Sequence, residues 1–233
     1  MKKFITLTAL LAVTAVTANA QSVISWAYAN GNPIPADGFA GVVSVTNWNL
    51  AGASGSANLS YNDATASGTT LSLAGGFGDW GIGSVSAPDG DGTYNKAIFD
   101  GYYNSVGSTL SLGNISFSTY DVYVYFSADV DGRTGTISDG TTTFSFSTMG
   151  IAATSGANAI FSQTTDTGAG NPSADYAIFS GLTGGSQTFT IANASDGMGF
   201  AGIQIVAVPE PGTMALAALG GASLLFWRRR SMK

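Results

Sequence analysis

The sequence contains no cysteine and no histidine, and Glu210 is its only glutamate. Without cysteine, disulfides cannot stabilise the fold, so its stability has to come from packing. The same absences exclude a zinc site built from histidine or cysteine, a Ser-His-Asp triad and a cysteine nucleophile. Apart from Glu210, aspartate is the only carboxylate available for acid–base chemistry. We therefore expect a protein that is not an enzyme.

Basic residues are also scarce, and most of them lie at the two ends of the chain. Of the eight, six lie within residues 1–3 or 228–233, which leaves only Lys96 and Arg133 between them. All thirteen aspartates lie in that middle part, and thirteen negative charges against two positive charges give it a formal charge of −11. Such a charge argues against nucleic acid or an anionic membrane surface as a partner.

Residues 1–20 have the three parts of a secretory signal peptide. Two lysines are followed by an apolar stretch over 4–16 and then by Ala18-Asn19-Ala20, a cleavage site of small residues. Cleavage is predicted after Ala20, and the implied partners are the Sec export machinery and signal peptidase. The alternative is an uncleaved N-terminal anchor, for which the apolar stretch is short.

The body of the chain, residues 21–207, has the pattern of a single all-β domain. Short apolar runs alternate with Asp-Gly, Gly-Gly and Ser-Gly turns, and no stretch of ten or more residues has helical periodicity. In the clearest strand, 121–126, the valines and Phe126 share one face while Tyr123 and Tyr125 share the other. This pattern predicts a central strand covered on both sides, or one whose tyrosines line a groove. The fold class expected is a β-sandwich of the jelly-roll type.

Eleven further stretches have the composition of strands. They are residues 23–29, 41–48, 57–61, 69–73, 97–102, 109–112, 134–137, 141–147, 176–179, 187–192 and 200–206. Residues 150–174 are dominated by small and polar side chains, which predicts a long surface loop. The closing stretch Gly199–Val206 resembles the end of galactose-binding-like jelly rolls.

Residues 208–233 form a separate C-terminal tail. Residues 214–227 are fourteen uncharged, mostly apolar residues, about 21 Å long as a helix at 1.5 Å per residue. This is short for a membrane span, but Trp227 followed by Arg228, Arg229 and Arg230 is typical of the cytoplasmic end of an inserted segment. We predict a short transmembrane helix at about 212–227 and a basic end at 228–233.

Pro209-Glu210-Pro211, the short apolar segment and the arginine cluster together resemble the PEP-CTERM sorting signal. The resemblance implies an exported protein of a Gram-negative-type bacterium, held transiently in the inner membrane with its ectodomain in the periplasm. An exosortase then processes it near the motif and passes it to the cell surface or extracellular matrix. In this scheme, Pro209, Glu210 and Pro211 are recognised, and Arg228–Arg230 retain the chain in the membrane. A permanent single-span anchor is the alternative.

Two loops carry alternating oxygen donors of the kind that calcium binds. The first contains Asp89, Asp91 and Asn95, and the second contains Asp129 and Asp131. Neither matches the full EF-hand pattern, and aspartate beside glycine most often simply forms a turn. A structural calcium ion is therefore a possible cofactor, and no other is expected.

Aromatic residues next to polar ones provide the remaining functional candidates, because sugar rings stack on aromatic planes. Asp79-Trp80 and Tyr102-Tyr103 are the pairs we select as a possible glycan-binding face, with burial in the core as the alternative. A glycan hydrolase would instead need two aspartates about 5 to 9.5 Å apart, for example Asp100 with Asp121 or Asp79 with Asp175. The function expected is a non-catalytic protein of the cell surface or matrix. A carbohydrate-binding module, with polysaccharide as partner, is the alternative, and a hydrolase ranks below both.

Overall fold

A computed structural model describes residues 22–28, 33–50, 56–75, 79–82, 88–104, 107–193 and 197–209. The regular secondary structure of the described chain is almost entirely β-strand, with one helix, α1 (Asn95–Phe99). In chain order the strands are β1 (Val23–Ala27), β2 (Asn49–Leu50), β3 (Ser56–Ser60), β4 (Ala66–Ala74), β5 (Asp79–Gly81), β6 (Gly101–Asn104), β7 (Ser108–Gly113), β8 (Tyr120–Ala128), β9 (Thr134–Ser138), β10 (Thr143–Thr148), β11 (Gln163–Thr164), β12 (Ser173–Ala174), β13 (Tyr176–Leu182), β14 (Gln187–Asn193) and β15 (Met198–Ala207).

The strands form two sheets. The first has the order β11-β13-β8-β15-β1-β2, and β6 also pairs with β15 and carries β5 on its other side. The second has the order β12-β10-β9-β14-β7-β4-β3. Within them, β1-β15-β8-β13 and β7-β14-β9-β10 have the strand order of a jelly roll, in which the chain passes repeatedly from one sheet to the other. The predicted β-sandwich of the jelly-roll type is confirmed, and the β3–β4 hairpin extends its second sheet.

The core lies between the two sheets and is rich in aromatic side chains. Phe126 of β8 stacks on Phe146 of β10 with ring centroids 3.8 Å apart. Phe179 of β13 and Phe189 of β14 lie 5.0 Å apart by the same measure. Each pair joins one sheet to the other, so the alternating apolar residues of the strands provide the packing that disulfides cannot provide here.

A second apolar cluster covers the outer face of the first sheet. Tyr125 is fully buried there, with the rings of Trp48, Phe99 and Phe161 around it at centroid distances of 5.9 to 6.2 Å. These three rings belong to residues 33–48, which we call the covering loop, to α1 and to residues 149–161. Strand β8 is therefore central and covered on both sides, as one of the two sequence interpretations predicts.

A buried glutamine attaches the covering loop to the first sheet. The amide of Gln204 donates to the carbonyl of Val43 (2.7 Å) and to Ser25 Oγ (3.2 Å). Its carbonyl oxygen accepts from the Tyr125 hydroxyl and from the backbone N–H of Val43. Gly41 lies so close to this amide that a Cβ built on it would be 2.5 Å from Gln204 Oε1, and its φ is +95°. Only glycine fits there without strain.

Three sequence predictions need correction. Residues 41–48 form turns with one isolated bridge rather than a strand, because positive φ at Gly41 and Asn47 interrupts the extended backbone. Residues 97–102 are split between α1 and β6. The long loop over 150–174 contains the two-residue strands β11 and β12, and its Phe161 packs onto the sheet rather than facing solvent.

Within the described ranges, no helix is long and apolar enough to cross a membrane. The predicted signal peptide, including Ala18 and Ala20, lies outside those ranges, and so does the predicted membrane segment at about 212–227.

Candidate functional site

The predicted glycan-binding tyrosines are buried. Tyr102 is fully buried and Tyr103 is 6% exposed, and burial raises the pKa of the Tyr102 hydroxyl to about 12. Neither can stack on a sugar from solution, which corrects their assignment to an exposed face. They are buried because β6 lies between β15 and β5 rather than at the edge of the sheet. Asp79 and Trp80 belong to β5 by their backbone, and their side chains lie outside the described part of the structure.

The side-chain oxygen atoms of the first predicted calcium loop accept hydrogen bonds from other groups of the protein. Asp89 is buried, and its two carboxylate oxygens accept the backbone N–H groups of Lys96 (3.4 Å) and Ala159 (3.0 Å). Burial raises the pKa of Asp89. Asp91 accepts from Thr93 within its own turn, and the side chain of Asn95 accepts an N–H from the covering loop. These bonds join α1, the covering loop and residues 149–161.

The second predicted calcium loop is organised in a similar way. Asp129 forms an ion pair with Arg133 at 2.8 Å, and Asp131 accepts the N–H of Ala152 at 3.0 Å. Among the described residues, no group of three or more carboxylates is placed to hold a metal ion. Calcium binding at either loop stays a prediction.

The aspartates considered for hydrolysis are far apart. Across neighbouring strands, Asp79 lies opposite Tyr103, Tyr103 opposite Phe200, and Phe200 opposite Phe126. The N–H of Phe126 then donates to the carbonyl of Asp175. Four strand spacings of about 4.8 Å therefore separate Asp79 from Asp175, roughly 19 Å in all.

The other aspartate pair is separated along a strand. Asp121 is the second residue of β8, whereas Asp100 directly follows Phe99, whose carbonyl accepts a hydrogen bond from Ser127 near the far end of β8. The six residues from Asp121 to Ser127 span about 20 Å at 3.3 Å per residue. Both aspartate pairs exceed the separations used in glycoside hydrolysis.

Asp175 has the most unusual environment among the described carboxylates. It is 2% exposed and lies directly before β13. One carboxylate oxygen accepts the N–H of Ser162 at 2.9 Å, and the other has no hydrogen-bond partner among the residues that the structure describes. Burial raises its pKa to about 8, so the carboxyl group is largely neutral at pH 7.

A pair of tyrosines lies next to Asp175 on the outer face of the first sheet. Tyr123 of β8 and Tyr176 of β13 are both partly exposed, with nearly parallel rings 6.4 Å apart and at 18° to each other. Phe161 packs edge-on against Tyr176. Asp121 precedes Tyr123 on the same face of β8. The alternation in 121–126 indicated Tyr123, whereas Tyr176 was recognised only as part of a strand.

Both ends of the domain leave the sandwich at the same place. The N–H of Ala207, the last residue of β15, donates to the carbonyl of Ser22 at 3.1 Å. The N–H of Val208 donates to the carbonyl of Thr119 at 2.9 Å. Ser22 lies two residues after Ala20, where cleavage of the signal peptide is predicted. Pro209 follows as an exposed residue.

The segment that begins here is the one that matches a known motif. Residues 207–230 match the PEP-CTERM protein-sorting motif. A PEP-CTERM motif supports an exported protein that an exosortase sorts to the cell surface. The match confirms the resemblance seen in the sequence. No curated protein and no solved structure gives a significant match to the chain.

The described structure contains only the beginning of the PEP-CTERM segment. Ala207, Val208 and Pro209 are described, whereas Glu210, Pro211 and Arg228–Arg230 lie outside it. The motif therefore starts on the last residue of a central strand. The position of the motif could be predicted from consecutive residues of the sequence alone. The structure shows that only Val208 lies between the end of β15 and Pro209.

Asp175 makes the stability of the domain depend on pH. Its pKa of about 8 in the folded state lies above the ordinary aspartate value of 3.8, so between these pH values the folded state keeps a proton that the unfolded state has released. The stabilising effect of this group is complete below about pH 4 and is lost as the pH rises to about 8, by up to about 1.4 kcal/mol per pH unit. Asp175→Asn should flatten this decline, as measured by urea unfolding between pH 5 and 8.5.

The matched control for this experiment is Asp37→Asn, which alters an exposed carboxylate. It should leave the decline between pH 5 and 8.5 as steep as in the unaltered protein. Parallel profiles for Asp175→Asn and the unaltered protein would contradict the assignment.

Proposed function

We propose that this chain is an exported, non-catalytic β-sandwich protein of the cell surface or extracellular matrix of a Gram-negative-type bacterium. In this proposal, the Sec machinery exports it and signal peptidase removes residues 1–20. The C-terminal segment then holds it transiently in the inner membrane, with the sandwich in the periplasm, until an exosortase processes it. The PEP-CTERM match at residues 207–230 is the observation that carries the proposal.

The arrangement of carboxylates supports the non-catalytic part of the proposal. The two aspartate pairs considered for hydrolysis are separated by roughly 19 and 20 Å. Asp175 has a strongly raised pKa, but it is enclosed by residue 162 and the start of β13. Asp89 and Asp131 bind backbone N–H groups of neighbouring loops. These carboxylates serve the fold.

The sorting role is tested by replacing Pro209, Glu210 and Pro211 together with alanine. In a bacterium that expresses an exosortase, the altered chain should be exported and should lose its signal peptide. Its C-terminal tail should not be removed, so the chain should stay in the membrane fraction. The physical reason is that the two prolines restrict the backbone to extended conformations that a processing enzyme can bind directly. Immunoblots of membrane and surface fractions measure the outcome.

Asp37→Ala is the matched control, because it removes one exposed carboxylate far from the tail in sequence. It should be processed and released like the unaltered chain. Unchanged release of the triple variant would refute the assigned role of the motif.

Carbohydrate binding is a second candidate function, and the Tyr123–Tyr176 pair is the observation that favours it. The nearly parallel rings are partly exposed, and such rings offer apolar faces to the C–H groups of a sugar. Asp121 on the same face of β8 provides an acceptor for hydroxyl groups. A surface protein with such a site would bind the polysaccharide around the cell.

This second function is tested with the released protein and a panel of bacterial and algal polysaccharides. Tyr176→Ala removes one ring of the pair, so the affinity should fall about tenfold or more, a loss of about 1.4 kcal/mol. Tyr61→Ala is the matched control, because Tyr61 is a partly exposed tyrosine that directly follows β3 and is not part of this pair. Equal binding by both variants, or no saturable binding at all, would exclude a site at this pair.

A further inference from the structure

The end of β15 is held by backbone hydrogen bonds up to the residue before Pro209. Ala207 pairs with Tyr120 in the ladder of β8, and its N–H donates to the carbonyl of Ser22 on the other side. The N–H of Val208 donates to the carbonyl of Thr119 at 2.9 Å. The chain is thus fixed between its two neighbours through Val208.

This pairing ends for a chemical reason. Proline has no N–H, so Pro209 cannot add another bond to the ladder. Pro209 is exposed, whereas Val206, three residues earlier, is 3% exposed and belongs to the core. Pro209 is therefore both the first residue beyond the hydrogen-bonded backbone and the first residue of the Pro-Glu-Pro sequence.

An enzyme that cuts a peptide bond binds the surrounding backbone in an extended form, through its own hydrogen bonds to main-chain groups. A cut at 207–208 or at 208–209 would require those main-chain groups to leave Ser22 and Thr119. Displacing the strand further would expose Val206 and then the fully buried Ile205.

We propose that the processing enzyme cuts the chain on the C-terminal side of Pro209, so that the released protein keeps every residue through Pro209. This inference rests on the proposed function. Cleavage breaks one peptide bond when a nucleophile attacks its carbonyl carbon. Attack by water yields a carboxylic acid, and attack by an acceptor amine yields an amide. The nitrogen of the tail leaves as an amine that carries the proton of the nucleophile.

The test is the C-terminal residue of the protein released by a bacterium that expresses the full chain and an exosortase. The protein is collected soon after release, in the presence of protease inhibitors. Trypsin is unsuitable because no lysine or arginine lies between Arg133 and Arg228. Chymotrypsin, which cuts after aromatic residues, should give a C-terminal peptide that begins at Ala201, and its mass identifies the last residue and any attached amine.

The expected result is a peptide that ends at Pro209 or later. A peptide that ends at Ala207 or Val208 overturns this inference and leaves the sorting function intact. A chain that is never shortened overturns the inference together with the sorting function, so the two failures are distinguishable. The same digest should yield a first peptide from Gln21 to Trp26, which confirms that the sample was exported and is not the product of cell lysis.

Discussion

The fold is organised around β15, which lies at the centre of the first sheet. Strand β15 pairs with β1 along one edge and with β8 along the other, so the first and last long strands of the domain lie side by side. This pairing closes the sandwich without disulfides, because its core face carries Phe200, Ile203 and Ile205. It also fixes where the two ends emerge, since Ser22 and Ala207 are hydrogen-bonded to each other. The tail that follows this strand therefore begins at a defined position on the domain.

The opposite face of β15 organises the outer layer. Gln204 is fully buried there and binds the covering loop, Tyr125 and Ser25. Its four hydrogen bonds satisfy a polar side chain that would otherwise be costly to bury. The loops packed around Tyr125 then leave Tyr123 and Tyr176 partly exposed at the edge of the layer.

Much of the fold could be predicted from the sequence, because strands such as 121–126 and 187–192 alternate with period two and end at glycine-rich turns. The sorting tail could be predicted as well, since its signal lies in consecutive residues. The failures have a different cause. Residues 41–48 and 97–99 look like strands because they are apolar, but they pack on a sheet face as a loop and as part of a short helix. Only the end of the predicted strand 97–102 belongs to a strand, β6. Whether Tyr102 is buried depends on β5 and β15, which are distant in sequence. Gln204 gave no sequence signal, because its partners lie 161 and 179 residues away.

Amide hydrogen exchange at the end of β15 shows whether the strand stays paired up to Val208. The full chain without its signal peptide, held in detergent, is compared with an unstructured peptide of the same C-terminal sequence. We expect the amides of Ala207 and Val208 to exchange at least about tenfold more slowly in the protein than in the peptide, because their N–H groups donate to the carbonyls of Ser22 and Thr119. Exchange of both amides at the rate of the peptide would show that the paired strand ends earlier, and would contradict the proposed presentation of the motif.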